Sequence, residues 1–415
     1  MAQAYKSEYS PEDVLEKLFQ RGLLNTDGTS PYIQKIIEDN IEKQANQFFW
    51  QEHFTIDGAE VPIDPSRPRQ APAYTVNSLV KRVTPMADAH SPLSETNQMD
   101  NETFESRSGT IPQYAKGLYE TSLTKGEYLS RLREMGITDN DVVSQFIRGA
   151  WDLVKSHNYR LSNMAAQVLS KGGAYSNSGS KGISGVSHNF SSYILPENFK
   201  KAGLLAWTDA DCDIPQQMRK IEQDFRAATG YEAPMEWDLP YDFVVSVMLN
   251  NAAVKKEIQR YINTYGTGNT TIVYSATGAL PEASYATWQQ LVEYSRSDLN
   301  IISPIRIVKE SQRFQDLTTI STVKGWQSGV AVLRPLGFAG KVFHSKVADV
   351  MLLEKEANKT IDFSIGSIQG GLFYLVNKVV PNGLYKSYHT DLYGRFLPVL
   401  TEFTHHIVVD TTTAD

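Results

Sequence analysis

The longest periodic stretch of the sequence covers residues 141–171 and contains no proline. Apolar residues recur in it mostly at steps of three and four, a spacing that places them on one face of a helix. They are Val142, Phe146, Ala150, Leu153, Val154, Leu161, Ala165, Val168 and Leu169. About 30 residues at 1.5 Å each form a helix of roughly 45 Å, longer than most globular helices. Asp139 or Asn140 can cap its start, and Gly172 and Gly173 stand where a left-handed C-cap is expected.

Shorter patterns surround this predicted helix. Helical spacing occurs at 11–22, 30–50, 214–229 and 252–262, and the third of these is followed by Gly230, a residue that favours a helix end. Alternating and β-branched runs bounded by Gly, Pro and Asn predict strands. These runs lie at 74–83, 189–195, 270–275, 300–308, 330–336, 373–380 and 405–413. The pattern predicts an α+β protein with one dominant helix.

The periodicity stops between about residues 56 and 107. Prolines at 62, 65, 68, 72, 85 and 92 interrupt helices there, because proline lacks a donor N–H and clashes with the preceding turn. The segment has few apolar groups to bury. Loops of this length are usually functional, disordered or held by another chain.

Composition narrows the classes of function. The 415 residues suffice for roughly two or three domains. Lys and Arg total 40 against 47 Asp and Glu, a net charge of -7, which argues against a whole surface that wraps nucleic acid but leaves one basic face open. The acidic N-terminus predicts no signal peptide. No apolar run reaches the length of a membrane span, so a soluble protein in a reducing compartment is expected.

Sites for chemistry are sparse. Cys212, the single cysteine, permits no disulfide within the chain and no cysteine-based zinc or iron–sulfur site, and a lone, partly buried thiol is expected. Asp209, Asp211 and Asp213 resemble the opening of a calcium loop. Such a loop would need glycine and glutamate at its sixth and twelfth positions. The sequence has Ile214 and Lys220 there, so a helix N-terminus capped by Asp213 is favoured.

Two glycine-containing segments and two histidines are the remaining candidates for a binding or catalytic site. The segments 266–268 and 337–341 look like weak phosphate loops but lack the required glycines and hydroxyl, so turns are predicted. His405 and His406 are expected on opposite sides of a strand, where they cannot share a metal ion. Neither a G-x-S-x-G nor an H-E-x-x-H motif occurs. A glycosidase-like carboxylate pair remains open, but nothing in the sequence selects one.

Three stretches of the sequence share their order and spacing with one known family. They are an arginine with a small-residue segment and a glycine (RLSNMAAQVL at 160–169, with Gly172), a tryptophan followed by acids before a helix (LAWTDAD at 205–211, with Pro215), and a proline–valine strand (LPV at 397–399, leading into IVVD at 407–410). Over roughly residues 70–415, the chain resembles the major capsid proteins of tailed bacteriophages with the Hong Kong 97 fold, and within them the lambda-type branch.

The resemblance implies a shell subunit that is not an enzyme, with no catalytic, cofactor-binding or metal-binding residues. The domains that it implies are an N-terminal arm at 1–55, an extended loop region at 56–130, a peripheral domain at 131–205 with its spine helix at 141–171, an axial domain at 206–345, and a return to the peripheral domain with a terminal strand at 346–415. The arm and the loop would dock on neighbouring copies.

Within this interpretation, small Ala165 and Ala166 let a neighbouring segment pack close to the spine helix. Asn163 and Lys171 are expected to reach solvent, and Ser170 is expected near the exposed end, where a substitution costs little.

The implied partners follow from the same resemblance. The chain would assemble with itself into hexamers and pentamers of an icosahedral capsid, with scaffolding, portal and decoration proteins as further partners. Packaged viral DNA would lie non-specifically on the inner face, and no membrane would be involved. The protein would be made in the host cytoplasm and reside in the virion.

Two alternatives stay open at this stage. One is another virion structural protein, a tail tube or baseplate component. The other is an unrecognised hydrolase, for which 21 tyrosines, 6 tryptophans and many acids are the only support.

Overall fold

The structure is a computed structural model, and the residues that it describes are 48–79, 104–121, 139–171, 175–176, 189–190, 200–203, 205–265, 286–299, 302–309, 312–316, 319–356, 362–382 and 385–414. The helix predicted at 11–22, most of the helix at 30–50, the strand at 270–275, the glycine pair at 172–173 and the turn at 266–268 lie outside these residues.

The helices predicted at 141–171, 214–229 and 252–262 are present, and the described residues form further helices that the sequence analysis does not predict. The described α-helices are α1 (Phe49–His53), α2 (Asp139–Ser170), α3 (Ile214–Thr229), α4 (Tyr241–Ser246), α5 (Ala252–Tyr265), α6 (Trp288–Ser295) and α7 (Ala348–Glu356), with short 3-10 turns at Met248–Asn250 and Phe403–His405. The long helix α2 is confirmed and begins two residues earlier than predicted. Helix α3 has the predicted bounds, and Gly230 ends it with a left-handed φ of 67°.

Strands occupy most of the rest of the described chain. They are β1 (Phe54–Ile56), β2 (Ala73–Leu79), β3 (Phe104–Thr110), β4 (Gln113–Thr121), β5 (Tyr175–Ser176), β6 (Asn189–Phe190), β7 (Lys200–Gly203), β8 (Met235–Pro240), β9 (Ile305–Val308), β10 (Gln312–Asp316), β11 (Thr319–Val323), β12 (Val330–Pro335), β13 (Gly340–His344), β14 (Asp362–Ile368), β15 (Phe373–Asn382), β16 (Tyr385–Leu400) and β17 (Ile407–Ala414). The predicted α+β class is confirmed.

The chain divides into two compact units, and each unit is assembled from separated segments. Unit 1 comprises residues 1–74, 110–162 and 342–398; unit 2 comprises residues 75–109, 163–341 and 399–415. Helix α2 contributes its first part to unit 1 and its last part to unit 2.

Unit 1 is built on a sheet with the strand order β1-β13-β16-β15-β14, in which β4 also pairs with β16. The pairs β14–β15, β15–β16 and β16–β4 are antiparallel. The long hairpin β15–β16 places Phe373 opposite Gly394. Strand β4 places Gln113 opposite Arg395, whose Nη2 donates a hydrogen bond to Oε1 of Gln113 at 3.1 Å. The core of this unit therefore depends on pairings between residues more than 200 positions apart in sequence.

One face of this sheet is covered by α7. Val350 of α7 and the preceding Val347 pack on Tyr374 and Val376 of β15, and all four are buried. Burial of such a cluster stabilises the unit by removing apolar surface from water, at roughly 25 cal/mol per Å².

Unit 2 contains a five-stranded sheet with the order β7-β17-β12-β8-β9. Strand β12 is antiparallel to β17 and β8, whereas the pairs β8–β9 and β17–β7 are parallel. Helices α3, α4, α5 and α6 contribute to its core, which includes the fully buried Trp207 and Trp237.

Strand β8 is missing from the sequence prediction. Its sequence, MEWDLP, lacks the alternation of a half-exposed strand, because both of its faces are buried. Glu236 and Asp238 lie inside the unit rather than at its surface. Their partners, Arg306 and Arg334, are distant in the sequence, so no local pattern marks the two carboxylates as buried.

Candidate assembly elements

The last part of α2 is packed so closely that only small groups fit against it. Ala165 and Ala166 are fully buried. A Cβ atom built on Gly325 would lie 2.5 Å from the carbonyl oxygen of Asn163 and 3.0 Å from the Cβ of Ala166. A side chain at position 325 would therefore overlap the helix backbone. The predicted close approach of a neighbouring segment is confirmed at Ala166.

Two residues of this part of α2 are not where the sequence analysis expects them. Asn163 is buried rather than solvated. Ser170 is also buried: its Oγ donates a hydrogen bond to the carbonyl oxygen of Ala166 at 2.8 Å and accepts one from the backbone N–H of Gln327 at 2.9 Å. The expectation of an inexpensive substitution at Ser170 is therefore wrong, because a buried group would lose its partner.

His405 and His406 have different neighbours, but not because they alternate along a strand. His405 belongs to a 3-10 turn and His406 follows it. The ring of His405 lies 4.5 Å from that of Tyr231, whereas Nε2 of His406 donates to the carbonyl oxygen of Leu169 at 2.8 Å. Both imidazoles are buried. They serve packing and helix termination, and they do not form a shared ligand pair.

The first part of α2 packs on the end of the predicted N-terminal arm, inside unit 1. Trp50 is buried, and its Nε1 donates a hydrogen bond to Oδ1 of Asn158 at 2.9 Å. Phe54 is also buried, and it opens β1, an edge strand of the unit 1 sheet. Residues 48–56 therefore pack on their own chain, whereas the arm was expected to dock on another copy. The remainder of the arm lies outside the described residues.

The extended loop region contains a two-stranded hairpin, β2–β3. Its base is not free, because Tyr74, Val76 and Ser78 alternate inward along β2 and are buried. Ser78 and Thr404 share a buried hydrogen bond of 2.7 Å between their hydroxyls. The base of the hairpin is therefore anchored to its own chain. Residues 80–103, which join the two strands, lie outside the described residues.

Trp207, from the second stretch that carries the resemblance, anchors the approach to α3. Its side chain is fully buried beside Trp237, with 6.0 Å between ring centroids. Its backbone N–H donates to the carbonyl oxygen of Thr411 at 2.9 Å, and its Nε1 donates to Oε1 of Gln217 at 3.0 Å. The tryptophan fixes the start of α3 against the C-terminal strand β17.

The three aspartates after Trp207 do not converge on an ion. Oδ1 of Asp213 accepts a hydrogen bond from the backbone N–H of Gln216 at 3.0 Å, which caps α3. Oδ1 of Asp209 accepts one from the backbone N–H of Asp211 at 3.1 Å. The predicted helix N-terminus, with Asp213 as its cap, is confirmed.

A buried ion cluster crosses the unit 2 sheet. The guanidinium of Arg334 is fully buried and lies 2.5 Å from Oδ2 of Asp238, which is also fully buried, and 2.5 Å from Oε1 of Glu236. Glu236 also pairs with Arg306 at 3.2 Å. Burial alone lowers the pKa of Arg334, but its two carboxylate partners outweigh burial and raise it. Removing one partner would leave a buried charge uncompensated, which is strongly destabilising.

Cys212 and the glycine turn at 337–341 are the remaining candidates from the sequence. Cys212 is buried, and burial together with Asp213 and Asp209 raises the pKa of its thiol to about 11, far from a reactive thiolate. Gly337 lies in a bend with a left-handed φ of 107° before β13. Across the described ranges, no group of three or more His, Cys, Asp or Glu side chains is arranged to hold a metal ion. Among the described helices, none combines the length and the apolar character that a membrane crossing needs.

No protein-family model and no curated protein matches the sequence. Solved structures similar to the chain include a phage-related protein from Bordetella bronchiseptica, with 11% identity and a TM-score of 0.44 over 91% of this chain and 96% of that one. The capsid of cyanophage A-1(L) has 14% identity and a TM-score of 0.42 over 83% and 88%. The mature capsid of bacteriophage PhiM1 has 9% identity and a TM-score of 0.41, over 88% of this chain and 86% of that one.

Two of these three structures are phage capsids, the class that the three sequence stretches resemble. Because the identities are low and the TM-scores modest, the function of this chain is inferred from its own residues and contacts. Assignment to the lambda-type branch stays a prediction.

Proposed function

We propose that the chain is the major capsid protein of a tailed bacteriophage, a structural subunit that self-assembles into the icosahedral head shell around packaged DNA. The observation that carries the proposal is α2, a helix of 32 residues that contributes to both units. Residues 161–170 are buried without interruption. Helices of globular domains average about 10–14 residues, whereas the spine of a shell subunit is a single long helix.

The two units have the proposed roles of peripheral and axial domains. Unit 1 carries the long β15–β16 hairpin, and unit 2 carries the mixed sheet with α3 to α6. The chain enters each unit three times, so each unit requires distant segments to fold together. The sequence analysis expects residues 346–415 to return to the peripheral domain with the terminal strand. Because residues 342–398 belong to unit 1 and residues 399–415 to unit 2, strand β17 is assigned to the axial domain instead.

Contact with a neighbouring copy is assigned to the segment that joins β2 and β3. The base of the hairpin is anchored through Val76 and Ser78, so it provides a fixed point from which the joining residues, 80–103, would engage another subunit.

The proposed role is structural rather than enzymatic. The protein is proposed to reside in the virion. The buried Arg334 cluster, the two buried histidines and Cys212 are all occupied in packing, which supports this assignment. The proposed partners are further copies of the chain, in hexamers and pentamers, together with scaffolding, portal and decoration proteins. Packaged DNA would contact the inner face through a local basic surface, because the net charge is acidic.

Sedimentation velocity of the purified full-length protein tests this proposal. The protein is examined alone and after coexpression with a phage scaffolding protein. We expect species with the mass of capsomers or closed shells, which shift to slower sedimentation when the buried contacts of α2 are disrupted. A monodisperse monomer under every assembly condition would contradict the proposal.

A further inference from the structure

Arg395 of β16 has a buried guanidinium, and only 3% of the residue is exposed. Its Nη2 donates a hydrogen bond to Oε1 of Gln113 at 3.1 Å, and its Nη1 donates a longer one to the carbonyl oxygen of Lys346 at 3.4 Å. Among the described residues, its Nε–H has no acceptor, and neither of the two oxygens that it contacts belongs to a carboxylate. A buried cation without a hydrogen-bonded counter-ion is unfavourable.

Arg334 in unit 2 shows how the same protein satisfies a buried guanidinium. Its Nε and Nη2 donate side by side to the two carboxylate oxygens of Asp238, at 2.5 and 3.3 Å. The same edge of Arg395 has one neutral amide oxygen, on Nη2 alone. Burial lowers the pKa of Arg395, and the charge of Asp349 opposes this lowering without reversing it. The two guanidiniums are equally buried, but only the first has a carboxylate in contact with it.

The guanidinium of Arg395 lies beside the start of α7. Lys346, which accepts from Nη1, precedes this helix by two residues, and Asp349 in its first turn accepts a hydrogen bond from Nε2 of Gln113. The backbone carbonyl oxygen of Val347 accepts the first hydrogen bond of the helix, which makes Val347 the cap residue. Valine has no side-chain acceptor for the free N–H groups of the first turn. The helix start therefore adds further donors and partial positive charge next to the guanidinium.

Gln113 and Asp349 lie between this edge of Arg395 and solvent. Gln113 is half-buried, Asp349 is exposed, and the hydrogen bond between their side chains is open to water. Gln113 is the first residue of β4 and pairs with Arg395 at the end of the β4–β16 ladder. Its side chain has several staggered rotamers, so it can turn outward while the strand keeps its pairing. That rotation would open Nε and Nη2 to a group from solvent.

The donors at this place select an oxyanion. Nε–H and Nη2–H of an arginine point in parallel and match two oxygens held by one carbon or phosphorus atom. N–H groups at a helix start favour negative charge as well. The exposed carboxylate of Asp349 lies one amide away and repels further negative charge. A singly charged group is therefore favoured over a dianion, and a carboxylate is the group that Arg334 binds in the same geometry.

We infer that Arg395, Gln113 and the first turn of α7 form a binding site for a small carboxylate anion. The anion would take the place of Oε1 of Gln113 on Nη2 and accept a second hydrogen bond from Nε. It would act as the counter-ion of Arg395 and tie β16 to the start of α7. The site lies within unit 1. It goes beyond the proposed shell function and does not depend on assembly.

Thermal melting of the unassembled full-length subunit tests the site, with acetate and inorganic phosphate as probes and chloride used to hold the ionic strength constant. We expect acetate to raise the melting temperature in a saturable way, by about 1–2 °C at tenfold above its Kd, and phosphate to raise it less. Gln113→Glu places a carboxylate of the chain itself on Arg395 and should abolish the response to acetate. Asp349→Asn removes the repelling charge and should tighten acetate binding about threefold. Asp298→Asn, at another exposed carboxylate, is the matched control and should respond as the original chain does.

The opposite effects expected at positions 113 and 349 make the test decisive. A melting temperature that does not respond to acetate in the original chain or in Asp349→Asn would overturn the inference. An equal rise in the original chain, Gln113→Glu and Asp298→Asn would show a general salt effect and would also overturn it. A rise with phosphate and none with acetate would overturn the assignment to a carboxylate. Because every measurement uses the unassembled subunit, each of these failures leaves the shell function standing, whereas an original chain that never assembles contradicts the shell function and leaves the site untouched.

Discussion

His406 and Leu169 are joined by a buried hydrogen bond in which Nε2 of the histidine donates to the backbone carbonyl oxygen at 2.8 Å. Leu169 lies in the last turn of α2, where carbonyl groups lack partners within the helix. Burial lowers the pKa of His406 to about 4, Arg334 adds to this lowering, and the hydrogen bond to Leu169 and the charge of Asp238 oppose it. The end of the long helix is therefore closed by an imidazole that must stay neutral.

This pair makes the stability of the subunit depend on pH. The unfolded chain binds a proton on His406 below its ordinary pKa of 6.5, whereas the folded chain binds it only near pH 4. The contribution to stability is present above about pH 7 and is lost as the pH falls from 6.5 towards 4. The full loss is about 3 kcal/mol, of which roughly 2 kcal/mol has occurred by pH 5.

Urea unfolding at about pH 7.5 and about pH 5 measures this loss. The control variant is His406→Gln, which can donate a similar hydrogen bond but does not titrate. Between the two pH values it should lose about 2 kcal/mol less stability than the original chain. An identical pH dependence in both proteins would show that His406 titrates normally.

Gly325 should tolerate no side chain. A Cβ atom there would lie 2.5 Å from the carbonyl oxygen of Asn163, so Gly325→Ala is expected to destabilise the subunit by about 1–3 kcal/mol. Gly58 is a matched control, since a Cβ atom on it would meet nothing within 4 Å, and Gly58→Ala should be neutral or stabilising by less than about 1 kcal/mol. Thermal melting compares the two, and equal shifts would mean that the segment at 325 can move away from α2.

Asp213 should stabilise α3 as a cap, independently of calcium. Asp213→Ala removes the hydrogen bond to the backbone N–H of Gln216 and should cost about 1 kcal/mol. Asp211→Ala, two positions away, should change the free energy of unfolding by less than about 0.5 kcal/mol. Melting curves with calcium and with a chelator should coincide. A melting temperature raised by calcium would instead indicate an ion site among the three aspartates.

The segment that joins β2 and β3 should be needed for assembly and not for folding. Replacing residues 80–103 with a short Gly–Ser linker keeps Tyr74, Val76 and Ser78, the buried residues of β2. The shortened subunit should therefore fold, as judged by its melting temperature, but should form no closed shells. Deleting residues 74–104 is the contrasting change, and it should also destabilise the subunit because it removes that buried face. Normal shells from the shortened subunit would show that another element supplies the contact.

Local signals in the sequence predict part of this fold well. The bounds of α3 follow from Asp213 and Gly230, which act within a few residues of the helix ends, and the length of α2 follows from an uninterrupted apolar period. The strand β17 is predicted in the same way, from a β-branched run at 405–413.

Features that depend on distant residues are not predicted. Ser170 reads as exposed because its partner, Gln327, is 157 positions away. Strand β8 is not predicted, because Glu236 and Asp238 pair with arginines that no local pattern connects to them. Similarly, the sequence predicts a strand at 74–83 but not its anchoring, because Thr404, the hydrogen-bond partner of Ser78, is 326 positions away.

The shape of the assembled particle tests the central claim most directly. Cryo-electron microscopy of the purified full-length protein, alone and with a scaffolding protein, should show closed icosahedral shells in which each subunit contains one long helix corresponding to 139–170. Tubes or open rings under all conditions would favour a tail or baseplate component instead. A protein that stays monomeric in every condition would contradict a shell function.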